Sequence, residues 1–189
     1  MGNKKIASKN ANIIKRVIHT TADFDYADNL VFSDNAVDIA LNTLKGGANI
    51  VTDTQMAKAG INKKSLFSLN CNIHCFIDSN EVAVLAKEKG VTRSGIAVEY
   101  AARHLEHPLI FIVGNAPTAL IKLYELIIQH KCEPALIIGA PVGFVNVVEA
   151  KDLIMSLDVP HIIAKGRKGG SNVAAAICNA LLYEISARD

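Results

Sequence analysis

Short β-rich runs, several of them continuously apolar, alternate along the chain with longer stretches in which apolar positions recur every three or four residues. The short runs fall at 49–53, 72–77, 109–114, 135–139 and 161–164, and each is read as a β-strand. The run Leu109-Ile110-Phe111-Ile112-Val113 contains no polar position, as expected of a parallel strand covered on both faces. Between the runs, four sets of positions predict amphipathic helices. They are Ala36, Val37, Ala40, Leu41 and Leu44; Ile96, Ala97, Tyr100 and Ala101; Leu120, Leu123, Tyr124, Ile127 and Ile128; and Val173, Ala174, Ile177, Leu181 and Ile185. Ser33, Ser79, Thr92 and Ser171 stand where a side-chain oxygen can accept from the free N–H groups of a first helical turn. Pro117 suits a first-turn position, and Gly90 can close the helix before it in a left-handed conformation. Repeated strand–helix alternation predicts right-handed crossovers and an α/β fold, a parallel sheet between two helix layers.

Composition narrows the function classes. A chain of 189 residues suits one domain spanning 1–189, and a domain of that size buries roughly 70% of its unfolded surface. Half the residues are hydrophobic and a fifth charged, as in an ordinary globular protein. The net charge is only +2, the basic residues form no stripe and Trp is absent, so nucleic acid is not an expected partner. Residues 1 to 18 are polar and lysine-rich without an apolar signal core, and no apolar run approaches the ~20 residues of a membrane span. No membrane is expected, and the cytoplasm is the expected compartment. The four cysteines include no C-x-x-C pair, which fits that compartment. Cys71, His74 and Cys75 invite a metal reading, but a strand would put the two cysteines on one face and the histidine on the other, so buried thiols and no metal are expected.

Three predicted strands run into glycine-containing turns that open helices. These are Gly114-Asn115-Ala116-Pro117-Thr118-Ala119-Leu120, Gly139-Ala140-Pro141-Val142-Gly143-Phe144 and Gly166-Arg167-Lys168-Gly169-Gly170-Ser171. In a parallel sheet such turns share the carboxyl edge, where open α/β proteins bind ligands. Glycine lets backbone approach a ligand, and helix N-termini favour anions. With Arg167 and Lys168 at the same edge, a ligand bearing carboxylates or phosphates is expected. None of the turns carries a dinucleotide or P-loop fingerprint. His19 can change its charge near neutral pH, yet its position alone fits a capping or core histidine as well as a catalytic one. Arg93 follows Thr92 at a helix start and reads alone as a surface arginine. Asp53, at a strand end, could orient a base or cap the next helix.

Taken together, the motifs resemble the precorrin-8X methylmutase family, including its cobalt-precorrin-8 members. The resemblance runs in order from Arg16 to Leu181. It rests on Arg16-Val17-Ile18-His19, Asn29-Leu30-Val31-Phe32-Ser33, Asp53-Thr54-Gln55-Met56-Ala57-Lys58-Ala59-Gly60-Ile61, Thr92-Arg93-Ser94, the Gly114 turn, Pro141-Val142-Gly143-Phe144-Val145 and the Gly166 turn. It implies a three-layer flavodoxin-like fold with a parallel central sheet and a homodimer with active sites near the subunit contact. The implied reaction moves a methyl group from C11 to C12 of a corrinoid macrocycle, with His19 as proton donor. The implied product is hydrogenobyrinate, or cobyrinate where the substrate carries cobalt, and no separate cofactor is needed. Substrate contacts are expected at Arg16, Thr92, Arg93, Asn115, Thr118, Gly166, Arg167, Lys168, Gly169, Gly170 and Ser171. The chain departs from the family pattern in two places. Fifteen residues precede Arg16, a shorter or truncated arm, and Asn62-Lys63 stand where relatives often have Thr-Arg. The shorter arm motivates an alternative, a tetrapyrrole-binding carrier without turnover. A generic nucleotide-binding α/β enzyme is a third reading, which the missing phosphate motifs disfavour.

Overall fold

A computed structural model of the chain describes residues 8–186. After a 3-10 turn at Ser8–Asn10 come α1 (Ala11–Thr21), α2 (Tyr26–Asn29), β1 (Leu30–Phe32), α3 (Ala36–Lys45), β2 (Asn49–Thr52), α4 (Gln55–Gly60), α5 (Lys63–Ser68) and β3 (Asn72–His74). Then follow α6 (Asn80–Lys89), α7 (Arg93–His104), β4 (Leu109–Val113), α8 (Pro117–Ile128), β5 (Leu136–Gly139), α9 (Val147–Met155), β6 (His161–Ala164) and α10 (Ser171–Ser186). The first seven of the fifteen residues before Arg16 lie outside the described residues.

The strands form one sheet in the order β1-β6-β5-β4-β2-β3. From β2 to β6 all pairings are parallel, with Ile50 opposite Ile110 and Ile112 opposite Ile138. The expectation of a wholly parallel sheet is corrected by β1, which runs antiparallel to β6 with Leu30 opposite Ala164. Its three residues are too few to show a period in sequence. It runs backwards because α2 delivers the chain to the carboxyl end of β6, where Lys165 N–H donates to the Asn29 carbonyl. Strand order reverses between β2 and β4, so their carboxyl ends flank the crevice where open α/β sheets take ligands.

Alternate strand residues feed two cores. Ile110 and Ile112 of β4 pack with α1, α3 and α10 on one face. Leu109, Phe111 and Val113 pack on the other with the helices α7, α8 and α9. Helix, sheet, helix is the three-layer order expected of apolar strands between amphipathic helices. The helix α1 was not anticipated from the sequence, although Ile13, Ile14, Val17 and Ile18 form a buried helical stripe. Of the expected caps, Thr92 accepts from Gly95 N–H at 3.2 Å, Pro117 opens α8 and Gly90 closes α6 at φ +64°. Ser79 makes no cap bond. Ser33 does not cap α3, because its hydroxyl accepts from His161 N–H across the β1–β6 pair instead.

The long helix α10 is almost entirely interior, lined by Ala174, Ala175, Ala176 and Ala180, whose small side chains admit close neighbours. Its one buried polar residue is Asn179. The amide oxygen accepts from Asn62 N–H and the amide nitrogen donates to the Gly60 carbonyl, both at 2.8 Å. This fastens the α4–α5 junction, where Asn62 in turn caps α5 by accepting from Ser65 N–H. Replacing Asn179 by Ala leaves a buried donor and acceptor without partners, and about 2 to 4 kcal/mol of stability should be lost in urea unfolding. A loss below about 0.5 kcal/mol would contradict this role.

Candidate active site

The parallel strands bring the turns after β2, β4, β5 and β6 to one edge, and specific contacts lock them together. Asp53 follows β2 and is buried. Its carboxylate accepts from Gly114 N–H (2.8 Å), Asn115 N–H (2.8 Å) and Ala116 N–H (2.7 Å). It therefore neither orients a base nor caps the helix that follows it. That helix, α4, is capped by Thr54, which accepts from Ala57 N–H. Burial raises the Asp53 carboxyl above its ordinary range, and the three N–H donors oppose that rise. Thr54 also shares a 2.8 Å hydroxyl–hydroxyl bond with Ser171, the first residue of α10. Ser171 is thus tied to the turn after β2, and as the first residue of α10 it follows the cap position.

The turn after β6 is pressed onto the turn after β5. Gly170 N–H donates to the Ala140 carbonyl at 2.7 Å, and Gly143 N–H donates to the Arg167 carbonyl at 3.2 Å. A Cβ on Gly169 would lie 2.2 Å from the Ala140 oxygen, so this approach is open only to glycine. Gly114 meets α10 in the same way, with a Cβ there 2.6 Å from the Ser171 Cα.

Beneath the turn, fully buried Lys151 of α9 donates from Nζ to the Gly166 carbonyl (2.6 Å) and the Lys168 carbonyl (2.9 Å). Lys151 was missed in sequence, yet it left a signal. It is a lysine on the apolar face of α9, four residues after Val147 and three before Ile154.

The other expected contacts divide into groups. Asn115 and Thr118 stand at the start of α8, and the first turn of α7, with Thr92 and Arg93, packs against it. Here the Thr118 carbonyl is 3.8 Å from where a Gly95 Cβ would lie. The Thr92 hydroxyl is used in capping α7. Arg93 and Arg167 are exposed, and the Arg167 guanidinium lies 5.9 Å from the centroid of the Phe144 ring. Lys168 is not a free cation. It pairs with Asp23 and Asp25, both at 2.6 Å, and these aspartates raise its pKa while it lowers that of Asp23.

That ion-paired triad ties the segment just after α1 to the 166–171 turn. His19 stands exposed in the last turn of α1, four residues before Asp23, and its imidazole has no hydrogen bond among the described residues. Arg16 is not brought to the turn. Its guanidinium lies 5.1 Å from the Tyr183 ring, at a point on α10 about 18 Å along the axis from Ser171.

Apolar side chains surround this edge uncovered. Phe24 lies between the two aspartates, Met56 in the first turn of α4, and Phe144 and Val145 after β5, where they are 86% and 77% exposed.

No group of three or more His, Cys, Asp or Glu among the described residues could hold a metal ion. Cys71 is buried with its thiol donating to the Leu44 carbonyl, and His74 Nε2 bonds the Asn49 side chain at 3.1 Å. Among the described residues, no helix is long and apolar enough to cross a membrane.

If Asp53 welds the crevice, Asp53→Asn should lose about 3 kcal/mol in urea unfolding, since an amide NH2 would face backbone N–H groups. Wild-type stability in that variant would contradict the assignment.

The precorrin-8X methylmutase family model (CbiC) matches residues 1–184. The cobalt-precorrin-8 methylmutase of Salmonella typhimurium is 46% identical over 173 residues, covering 92% of this chain and 80% of that protein. The precorrin-8X methylmutase of Pseudomonas aeruginosa is 41% identical over 171 residues, covering 89% and 81%. Among solved structures, the precorrin-8x methyl mutase from Thermus thermophilus is similar with a TM-score of 0.90 at 37% identity, across 99% of this chain and 91% of that one. On sequence and on fold alike, the chain belongs to the precorrin-8X methylmutase family.

Proposed function

We propose that the carboxyl edge binds an acidic corrinoid macrocycle and that the chain moves its methyl group from C11 to C12. Family membership makes the chain a methylmutase, an isomerase of cobalamin biosynthesis. The proposed steps balance within one molecule. His19 donates a proton to the conjugated ring, which becomes electron-poor. The C11–methyl bond breaks as the C12–methyl bond forms, and the methyl group carries its bonding electrons. The proton then returns to the imidazole. Such a rearrangement consumes no oxidant or reductant, so we propose no resident cofactor, and any cobalt travels with the substrate. The order of the five parallel strands, β3-β2-β4-β5-β6, supports a flavodoxin-like fold with an added antiparallel edge strand.

The observation that carries this reading is the Lys168–Asp23–Asp25 tie. It holds the end of the His19 helix against the glycine turn best suited to anions. The substrate's carboxylates would meet backbone N–H groups, Arg167 and Arg93. His19 is open to solvent, and an acid that protonates a carbon framework works best with water excluded. The uncovered Phe24, Met56, Phe144 and Val145 suit the macrocycle and a second copy of the chain, and we propose a homodimer. The four free cysteines suit the proposed cytoplasmic setting.

Incubating the protein with precorrin-8, with and without cobalt, and following the visible spectrum tests the reading. Conversion to hydrogenobyrinate or cobyrinate is expected. Stable binding without conversion would make the chain a carrier, and absence of binding would end the corrinoid reading. His19→Ala should lower kcat by about 10² to 10⁴ while product still binds. Retention of more than about a tenth of kcat would remove His19 as proton donor. Arg167→Ala should weaken product binding about tenfold or more, from loss of a charged hydrogen bond. Arg103, paired with Glu99 at the far end of α7, serves as the control whose removal changes little. Light scattering at micromolar concentration should give twice the chain mass of 20.3 kDa, and a clean monomer would contradict the dimer.

A further inference from the structure

Lys151 is a charged side chain with no access to solvent and, among the described residues, no ion pair. Burial draws its pKa down to about 8. An apolar side chain of the same length would fill this place without that penalty, so what the ammonium holds becomes the question. It holds two carbonyls of one turn, Gly166 and Lys168, alternate residues on either side of Arg167.

A trans peptide is planar, with its C=O and N–H pointing in opposite directions. Among the described residues the one cis peptide bond is His107–Pro108, so both peptides here are trans. Drawing the Gly166 and Lys168 carbonyls inward therefore turns the N–H groups of Arg167 and Gly169 away from Lys151. Neither of these N–H groups has a partner among the described residues. Their neighbours are committed, since the Arg167 carbonyl accepts from Gly143 and Gly170 N–H donates to Ala140. Two alternate N–H groups turned to the same side in this way are free to meet one anion, and the buried positive charge behind them polarises both peptides in the favourable sense.

We propose that Lys151 is a positioning residue of the corrinoid site, which fixes the Arg167 and Gly169 N–H groups as a paired seat for one substrate carboxylate. The inference rests on the corrinoid reading of this edge. It assigns Lys151 a role through the turn, without contact to the reacting atoms.

The test compares Lys151→Met and Lys151→Arg with wild type in the full chain, using hydrogenobyrinate as the probe. Amide exchange is measured without ligand, and kinetics follow with precorrin-8. Lys151→Met should melt within about 5 °C of wild type, because loss of two hydrogen bonds is offset by removal of a buried charge. It should bind the probe at least about tenfold more weakly, raise KM more than it lowers kcat and lose exchange protection at Gly170. Lys151→Arg should recover part of the affinity. Unchanged affinity and unchanged Gly170 protection in Lys151→Met would overturn the proposal. So would weaker binding that only tracks a general loss of folding. If wild type itself fails to bind the probe, the corrinoid reading falls. Gly170 protection in the free protein then still decides whether Lys151 shapes the turn.

Discussion

The Asp53 carboxylate holds three consecutive backbone N–H groups across the point where strand order reverses, and the rest of the carboxyl edge is built outward from it. A parallel sheet diverges there, with β2 and β3 on one side and β4, β5 and β6 on the other. Left alone, such a crevice exposes N–H groups from both sides. Asp53 closes it at the base, and its neighbour Thr54 reaches Ser171 to bring in the start of α10. Gly114 and Gly169 then allow the later turns to lie at contact distance, where any side chain would overlap backbone. Each link consists of ordinary hydrogen bonds or a close approach. Together they make four turns, far apart in sequence, one surface.

Parts of this were legible in the sequence because they depend on local rules. The β4 run is apolar throughout because both of its faces are covered, and the glycine turns announce themselves where strands end. The helix starts at Thr92 and Pro117 follow capping chemistry that involves only neighbouring residues. The resemblance supplied what local rules could not, above all a reason to single out His19. What stayed hidden depends on distant partners. β1 is a strand only because β6 accepts it. Lys168 reads as a free cation until Asp23 and Asp25, more than 140 residues away, are seen to hold it. Asp53 reads as a helix cap until the β4 turn is brought against it. Two further features do carry local signals. The Ile13-Ile14, Val17-Ile18 stripe was present in a segment read as polar, and Lys151 lay on the apolar face of its helix.

The division of labour at the edge follows from these constraints. Backbone N–H groups, fixed by buried side chains, are the proposed rigid anion contacts, with little further entropic cost. Arg93 and Arg167 are exposed, and in the proposed site their charge would adjust to a flexible set of carboxylates. His19 is carried on a helix whose end is tied to the anion turn by an ion pair, so the proposed proton donor and the proposed anchors are registered to one another. In the proposed homodimer, the ligand and a second subunit would cover this open surface.

A crystal structure of the protein with bound hydrogenobyrinate tests this account most directly. The account predicts the macrocycle on the carboxyl edge, with a carboxylate within hydrogen-bond distance of the Arg167 and Gly169 N–H groups and the His19 imidazole facing the ring near C11 and C12. A macrocycle bound at the opposite edge of the sheet, or with His19 turned to solvent and no carboxylate on the 166–171 turn, would contradict it.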